Sequence, residues 1–173
     1  MQFFSGFSLQ KEEHFFDELI DTSDYNICGF SYGAIKAFQH TKKLLDEGKR
    51  VDRLQLFSPA FFQTKSEKFK RLQLLSFSKS QEKYLEQFIA SCFSPYEKQV
   101  VQHSSATITQ LEELLHFEWS VAELVELENK GVSIEVYLGA KDKIIDVNGA
   151  REFFLDVATV TYIKEANHFL QTK

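Results

Sequence analysis

Tyr25-Asn26-Ile27-Cys28-Gly29-Phe30-Ser31-Tyr32-Gly33-Ala34 is the stretch whose reading decides the fold. Tyr25 to Cys28 reads as a strand. Ala34 to Glu47 has helical periodicity and is stopped by Gly48. Between them stands only Gly29-Phe30-Ser31-Tyr32-Gly33, a G-x-S-x-G pattern. A strand that passes into a helix through this pattern carries its serine on a sharp, strained turn that lifts Oγ clear of the sheet. Side chains at the two flanking positions would collide with nearby atoms, hence the glycines. The helix N-terminus that follows directs partial positive charge at the same place. Ser31 is the candidate nucleophile; the plainer alternative is a loop with two glycines and an idle serine.

Working outward, Gln2 to Ser5 is a short apolar strand broken by Gly6. Lys11 to Ile20 is predicted helical, with Phe15, Phe16, Leu19 and Ile20 on one stripe. Leu54, Leu56 and Phe57 belong to a third strand closed by Ser58-Pro59. Residues 60–118 are amphipathic with no convincing strand and read as an inserted helical lid. Trp119 to Lys130 is a helix ended by Gly131, and Val132 to Leu138 a fourth strand broken by Gly139. Asn148 to Leu155 is a short helix, and Val157 to Ile163 the fifth strand. Strands alternating with helices predict an α/β fold, with about five mainly parallel strands in sequential order and a single domain over 1–173. Right-handed crossovers in that order put most helices on one face. A parallel sheet is normally covered on both faces, so a thinly covered second face points to a homodimer.

A serine needs a base. Of the five histidines, His14 and His40 fall in predicted helices and His103 and His116 in the lid; only His168 follows the last strand. In this kind of sheet the chain order is serine, acid, histidine. The acid belongs after the fourth strand, where Gly139-Ala140-Lys141-Asp142 places Asp142, with Asp146 as rival. Its task is to accept a bond from His168 and fix the imidazole tautomer. Taken singly, either aspartate reads as a solvated turn residue; the joint order of the three carries the reading. Backbone N–H groups of Tyr32 and of Phe7, in the turn after the first strand, are the expected oxyanion donors.

Composition narrows the classes. A net charge of -5 argues against a nucleic-acid binder, which needs a basic face. No apolar run approaches the ~20 residues of a membrane span, and no signal peptide is seen, so a cytoplasmic location is expected. Cys28 and Cys92 sit in no C-x-x-C or metal-ligand spacing and imply no disulfide framework; Cys28, in an apolar strand-like run, is expected to be a buried free thiol. The chain is rich in Phe, 18 in all, and part of that aromatic surface is available to line an acyl pocket. Phe61, Phe62, Phe69, Leu74, Leu75, Phe77 and Phe88 are the candidates.

Several segments together resemble one family. Phe3-Phe4-Ser5-Gly6-Phe7, the Gly-Phe-Ser-x-Gly turn, Leu56-Phe57-Ser58-Pro59, Phe69-Lys70-Arg71-Leu72-Gln73-Leu74, Gly139-Ala140-Lys141-Asp142-Lys143 and Asn167-His168 are similar to the short pimeloyl-[acyl-carrier protein] methyl ester esterases of biotin biosynthesis. The resemblance runs nearly end to end. It implies a minimal α/β-hydrolase fold and a serine carboxylesterase that releases methanol from the ω-methyl ester of a carrier-bound pimeloyl chain. By matching position it implies a triad of Ser31, Asp142 and His168, with Phe7 and Tyr32 at the oxyanion hole. No metal or organic cofactor is called for. The partner would be an acidic acyl-carrier protein, for which Lys65, Lys68, Lys70 and Arg71 form a candidate docking patch, with Lys79 and Lys83 behind it. A solvated helix face containing Glu67 is the plain alternative. Rival functions are an acyl thioesterase, a small-ester carboxylesterase and a non-catalytic binding module on the same fold.

Overall fold

The computed structural model describes the whole chain, Met1–Lys173. In chain order it contains strands β1 (Gln2–Phe4) and β2 (Leu9–Gln10), a 3₁₀ turn (Glu13–Phe16), β3 (Asn26–Phe30), helix α1 (Tyr32–Asp46) and β4 (Arg53–Phe57). There follow α2 (Glu67–Lys79), α3 (Gln81–Phe93), β5 (Gln102–His103), α4 (Ile108–His116), α5 (Val121–Asn129), β6 (Ser133–Gly139), α6 (Val147–Leu155) and β7 (Thr159–Ile163). Five strands make one parallel sheet in the order β1-β3-β4-β6-β7, so spatial order follows chain order, as the sequence predicts.

Local chemistry sets the element ends. Ser66, Ser80, Thr107, Ser120 and Asp146 each accept a backbone N–H from the first turn of the helix they precede. Gly48 ends α1 at φ 72°, a conformation that side-chain-bearing residues resist. One predicted element is corrected. The helix expected over Lys11 to Ile20 is only the 3₁₀ turn, because Lys11 takes φ 58° and Glu12 turns inward to bond the Gly6 N–H. The interval 60–118 holds α2, α3 and α4, and also β5, which pairs antiparallel with β2. Two-residue strands carry no readable periodicity, so this ladder could not be predicted.

The two sheet faces differ in character. Leu54, Leu56, Ile134, Val136 and Leu138 join the larger core with residues of α1, α5 and α6. On the other face Cys28, Phe30 and Phe57 pack with Phe16, Phe93 and Phe169 in a phenylalanine layer; Phe16 stacks on Phe57 at 4.7 Å and Phe93 on Phe169 at 4.4 Å. Toward the strand starts this face turns polar. Buried Gln55 donates to Glu135 at 2.9 Å and to the Leu19 carbonyl at 3.0 Å, and accepts from Asn26 at 2.8 Å. Arg53 adds ion pairs to Asp21 at 2.7 Å and to Glu135 at 3.3 Å. The expectation of a thinly covered second face is therefore corrected. The 3₁₀ turn, the end of α3 and the Ala166–Leu170 segment cover its apolar part, and the Gln55 network bonds most of the polar part, with Asn26 Oδ1 left unpaired. A sheet covered on both faces does not call for a second copy to shield it.

Candidate active site

Ser31 sits between β3 and α1 with φ 55° and ψ -115°, a strained conformation for a residue with a side chain. The turn is held by its backbone: Ser31 N–H donates to the Phe57 carbonyl at 2.9 Å, and the Ser31 carbonyl accepts from Ala60 at 3.1 Å. Close approach explains the second glycine of the pattern. A Cβ on Gly33 would lie 2.5 Å from the Ser5 carbonyl oxygen, so the chain after β1 rests on the first turn of α1.

The structure brings Ser31, His168 and Asp142 together across 137 and 26 residues of sequence. Ser31 Oγ is 3.0 Å from His168 Nε2, and His168 Nδ1 is 2.6 Å from Asp142 Oδ2. The histidine is fully buried, and the serine is 4% exposed. Asp142 Oδ1 accepts from the Ile144 N–H at 2.7 Å, which leaves Oδ2 for the imidazole. The rival Asp146 faces elsewhere. It caps α6 and accepts from the Thr64 hydroxyl at 2.6 Å, the bond chiefly responsible for holding its carboxyl below the ordinary aspartate value. Asp142 is thus the one aspartate of the two within reach of His168.

The loop that carries His168 is anchored at several points. Gly139 lets it approach, since a Cβ there would lie 2.7 Å from the Ala166 carbonyl carbon. Lys141 N–H donates to the Ala166 carbonyl at 2.8 Å. The buried Asn167 amide donates to the Phe93 carbonyl at 2.8 Å, and its Oδ1 accepts from Gln171 at 3.0 Å. Phe30 packs against the imidazole at 4.9 Å. The other histidines stand apart: His14, His103 and His116 are exposed, and His40 packs on Phe4.

Gly6 to Leu9 form a tight turn, with Leu9 N–H bonded to the Gly6 carbonyl at 3.1 Å and Ser8 at φ 60°. The Phe7 N–H donates to no group in the protein. Tyr32 opens α1, where an N–H has no helical acceptor one turn back. From the sequence, these two N–H groups are the expected oxyanion donors. The Tyr32 hydroxyl reaches the lid, donating to Glu113 Oε2 of α4 at 2.5 Å, while Lys36 donates to Glu113 Oε1 at 2.6 Å. Nothing in the sequence marks Glu113 among the other acidic residues of the lid.

Beside Phe7 lies a cavity of about 300 Å³, walled mainly by Phe62, Phe69, Phe88, Leu111, Leu115 and Ile144, with Gln73, Gln87, Lys65 and Lys143 among its polar residues. Of the expected pocket residues, Phe62, Phe69 and Phe88 line it. Phe61 instead packs on Phe153 and Phe154, Phe77 lies behind Phe7, and Leu75 is exposed. The basic patch is divided. Lys65 lines the cavity, and Lys68 and Arg71 line a surface groove with Glu67, Glu112 and His116. Lys70 is corrected: it is 5% exposed and paired with Glu67 at 3.1 Å, so it presents no free charge to a partner. No cluster of three or more metal-ligating side chains is present, and no helix is long and apolar enough to cross a membrane.

The fold is that of the α/β-hydrolases. The chain is similar in structure to the esterase EaEST from Exiguobacterium antarcticum, with a TM-score of 0.61 and 16% identity over 82% of this chain and 58% of that one. It is also similar to naproxen esterase (carboxylesterase NP) from Bacillus subtilis, with TM-score 0.54 and 20% identity over 91% and 57% of the two chains. For a bromoperoxidase from Bacillus anthracis the values are 0.62 and 12%, over 83% and 60%. This chain therefore spans somewhat over half the length of these structures. No protein-family model and no curated protein matches it.

Proposed function

We propose that the chain is a serine ester hydrolase in which Ser31 is the nucleophile, His168 the general base and Asp142 the group that orients the imidazole and stabilises its charged form. The observation that carries this reading is the unbroken relay from Ser31 Oγ to His168 at 3.0 Å and on to Asp142 at 2.6 Å. His168 takes the hydroxyl proton as Oγ attacks the ester carbonyl, and Asp142 stabilises the imidazolium that forms. The Phe7 and Tyr32 N–H groups stabilise the negative charge on the carbonyl oxygen. His168 then gives its proton to the departing alkoxide, and water hydrolyses the acyl-enzyme by the same route.

The finer reading is hydrolysis of the methyl ester of pimeloyl-[acyl-carrier protein] methyl ester, giving methanol and pimeloyl-[acyl-carrier protein] in biotin biosynthesis. Its support is the sequence resemblance, together with an apolar cavity beside Phe7 of a volume suited to a short acyl chain. Lys65, Lys68 and Arg71 are the proposed contacts to the acidic carrier protein, the only other partner the reading needs. Buried triad atoms imply that lid movement admits the substrate.

Mass spectrometry of pimeloyl-carrier-protein methyl ester before and after incubation tests both levels. Loss of one methylene mass with the thioester intact, absent with Ser31→Ala, is the expected result. Cleavage at the thioester would identify an acyl thioesterase. Turnover of small free esters alone would identify a general carboxylesterase. Failure of the wild type to label with a fluorophosphonate would leave a binding module.

A further inference from the structure

Glu12 is the one fully covered carboxylate that the relay does not use. It is 1% exposed, it forms no ion pair, and its Oε1 accepts the Gly6 N–H at 2.6 Å while Oε2 has no partner. Burial pushes its carboxyl above the ordinary glutamate value, against the lowering effect of the Gly6 N–H, its own N–H and the Ser5 side chain. A carboxyl kept in such a place is costly unless its bond matters.

That bond falls at the start of the oxyanion turn. Gly6 N–H donates to Glu12, the Gly6 carbonyl accepts from Leu9, and the next N–H, that of Phe7, donates to no group in the protein. Fixing the Ser5–Gly6 peptide by its N–H and the turn by its carbonyl leaves little rotation for the Phe7 amide. The Phe7 ring, packed on Tyr32, Phe77 and Phe88, fixes the side chain but not the rotation of its peptide plane. We infer that Glu12 is a positioning residue for the reaction proposed above: its carboxyl holds the Gly6–Leu9 turn so that the Phe7 N–H faces the carbonyl oxygen of the substrate in the transition state. This inference rests on Ser31 being the nucleophile.

An oxyanion donor acts on the transition state more than on the bound substrate. Glu12→Asp keeps the charge but withdraws the acceptor by one methylene. On a p-nitrophenyl ester it is expected to lower kcat by ~10- to 100-fold with KM changed less than about threefold, as for a weakened oxyanion donor. Its affinity for a trifluoromethyl ketone, which forms a tetrahedral oxyanion on Ser31, should fall in step with kcat. Glu12→Gln retains an acceptor for Gly6 and is expected to recover most of kcat. A purely structural role would instead lower the melting temperature of Glu12→Asp while kcat per folded molecule and ketone affinity held, and that result overturns the inference. So does full kcat in Glu12→Ala. If Glu12→Asp and Glu12→Ala do not fold, Glu12→Gln decides: loss of kcat as deep as tenfold in folded Gln protein overturns it. Wild-type protein that neither turns over esters nor reacts with a fluorophosphonate overturns the nucleophile reading itself, an outcome distinct from all of these.

Discussion

Gly33 and Ser5 are in backbone contact: a Cβ placed on Gly33 would stand 2.5 Å from the Ser5 carbonyl oxygen and equally close to the Phe4 carbonyl carbon. Neither neighbour is a flexible side chain, so nothing yields cheaply. Gly33→Ala should destabilise the fold by about 3 kcal/mol. Urea denaturation measures it; a loss under about 1 kcal/mol would mean that the β1 end can move aside without harm.

Asp142 and Asp146 lie four residues apart but face different partners. Asp142→Asn should leave the fold intact and reduce kcat by roughly 10³- to 10⁴-fold, because an amide at that position favours the wrong imidazole tautomer. Asp146→Asn alters only a helix cap and a bond to Thr64, and should leave ester turnover within a few-fold of wild type. Steady-state kinetics of the two variants side by side checks this. Equal losses would remove Asp142 from its special place.

Glu113 ties the lid to the nucleophile turn through Tyr32 and Lys36. Burial would raise its carboxyl, but the bonds from Lys36 and Tyr32 outweigh that and hold it below the ordinary glutamate value. A carboxylate lowered in the folded state stabilises above its unfolded value, and loses that contribution as pH falls through the lowered folded value. The tie is half-exposed, so its worth is about 1 kcal/mol or less. Glu113→Gln should therefore be less stable than wild type at pH 7, and the gap should close as the pH is taken down below about 4.5. Thermal melts of both proteins over pH 3 to 7 read the difference; a pH-independent gap would assign it to packing.

The two thiols are buried and unpaired. Burial pushes Cys28 up to about 12 and Cys92 well above the ordinary thiol value, so neither presents thiolate near neutrality. A thiol-specific disulfide reagent should titrate two cysteines in denatured protein and none in folded protein within minutes. Rapid labelling of the native protein would show that the α3 end or β3 opens locally.

Legibility in the sequence followed the strength of the local signal. The strand–turn–helix around Ser31 and the strand ending at Gly139 could be read because an apolar run and breaking glycines coincide there, and the strand ending at Ile163 by its β-branched run alone. His168 was marked out by its place after the last strand. The choice between Asp142 and Asp146 could not be made from spacing, since it depends on which carboxyl oxygen the Ile144 amide and Thr64 occupy. The Lys11–Ile20 helix is absent because the bond from the Gly6 N–H to the Glu12 carboxylate and the positive φ at Lys11 outweigh an apolar stripe. Lys70 looked like surface charge because sequence alone does not show that the side chain folds back into the lid onto Glu67. The polar network under Gln55 was equally hidden, for a glutamine in mid-strand reads as solvent-facing until its five partners are known.

The ladder between β2 and β5 has a mechanical consequence. Leu9 and Gln10 pair with His103 and Gln102, the Ser104 N–H and hydroxyl bond the Ser8 and Leu9 carbonyls, and the Gln10 amide bonds the His103 carbonyl. Segment 102–104 is thereby riveted to the same turn that presents Phe7. Prising this edge of the lid upward would drag the turn with it and spoil the donor at the moment a substrate arrived. The lid movement proposed above would then fall to α2 and α3, whose residues line the cavity, while the β2–β5 seam stays with the turn.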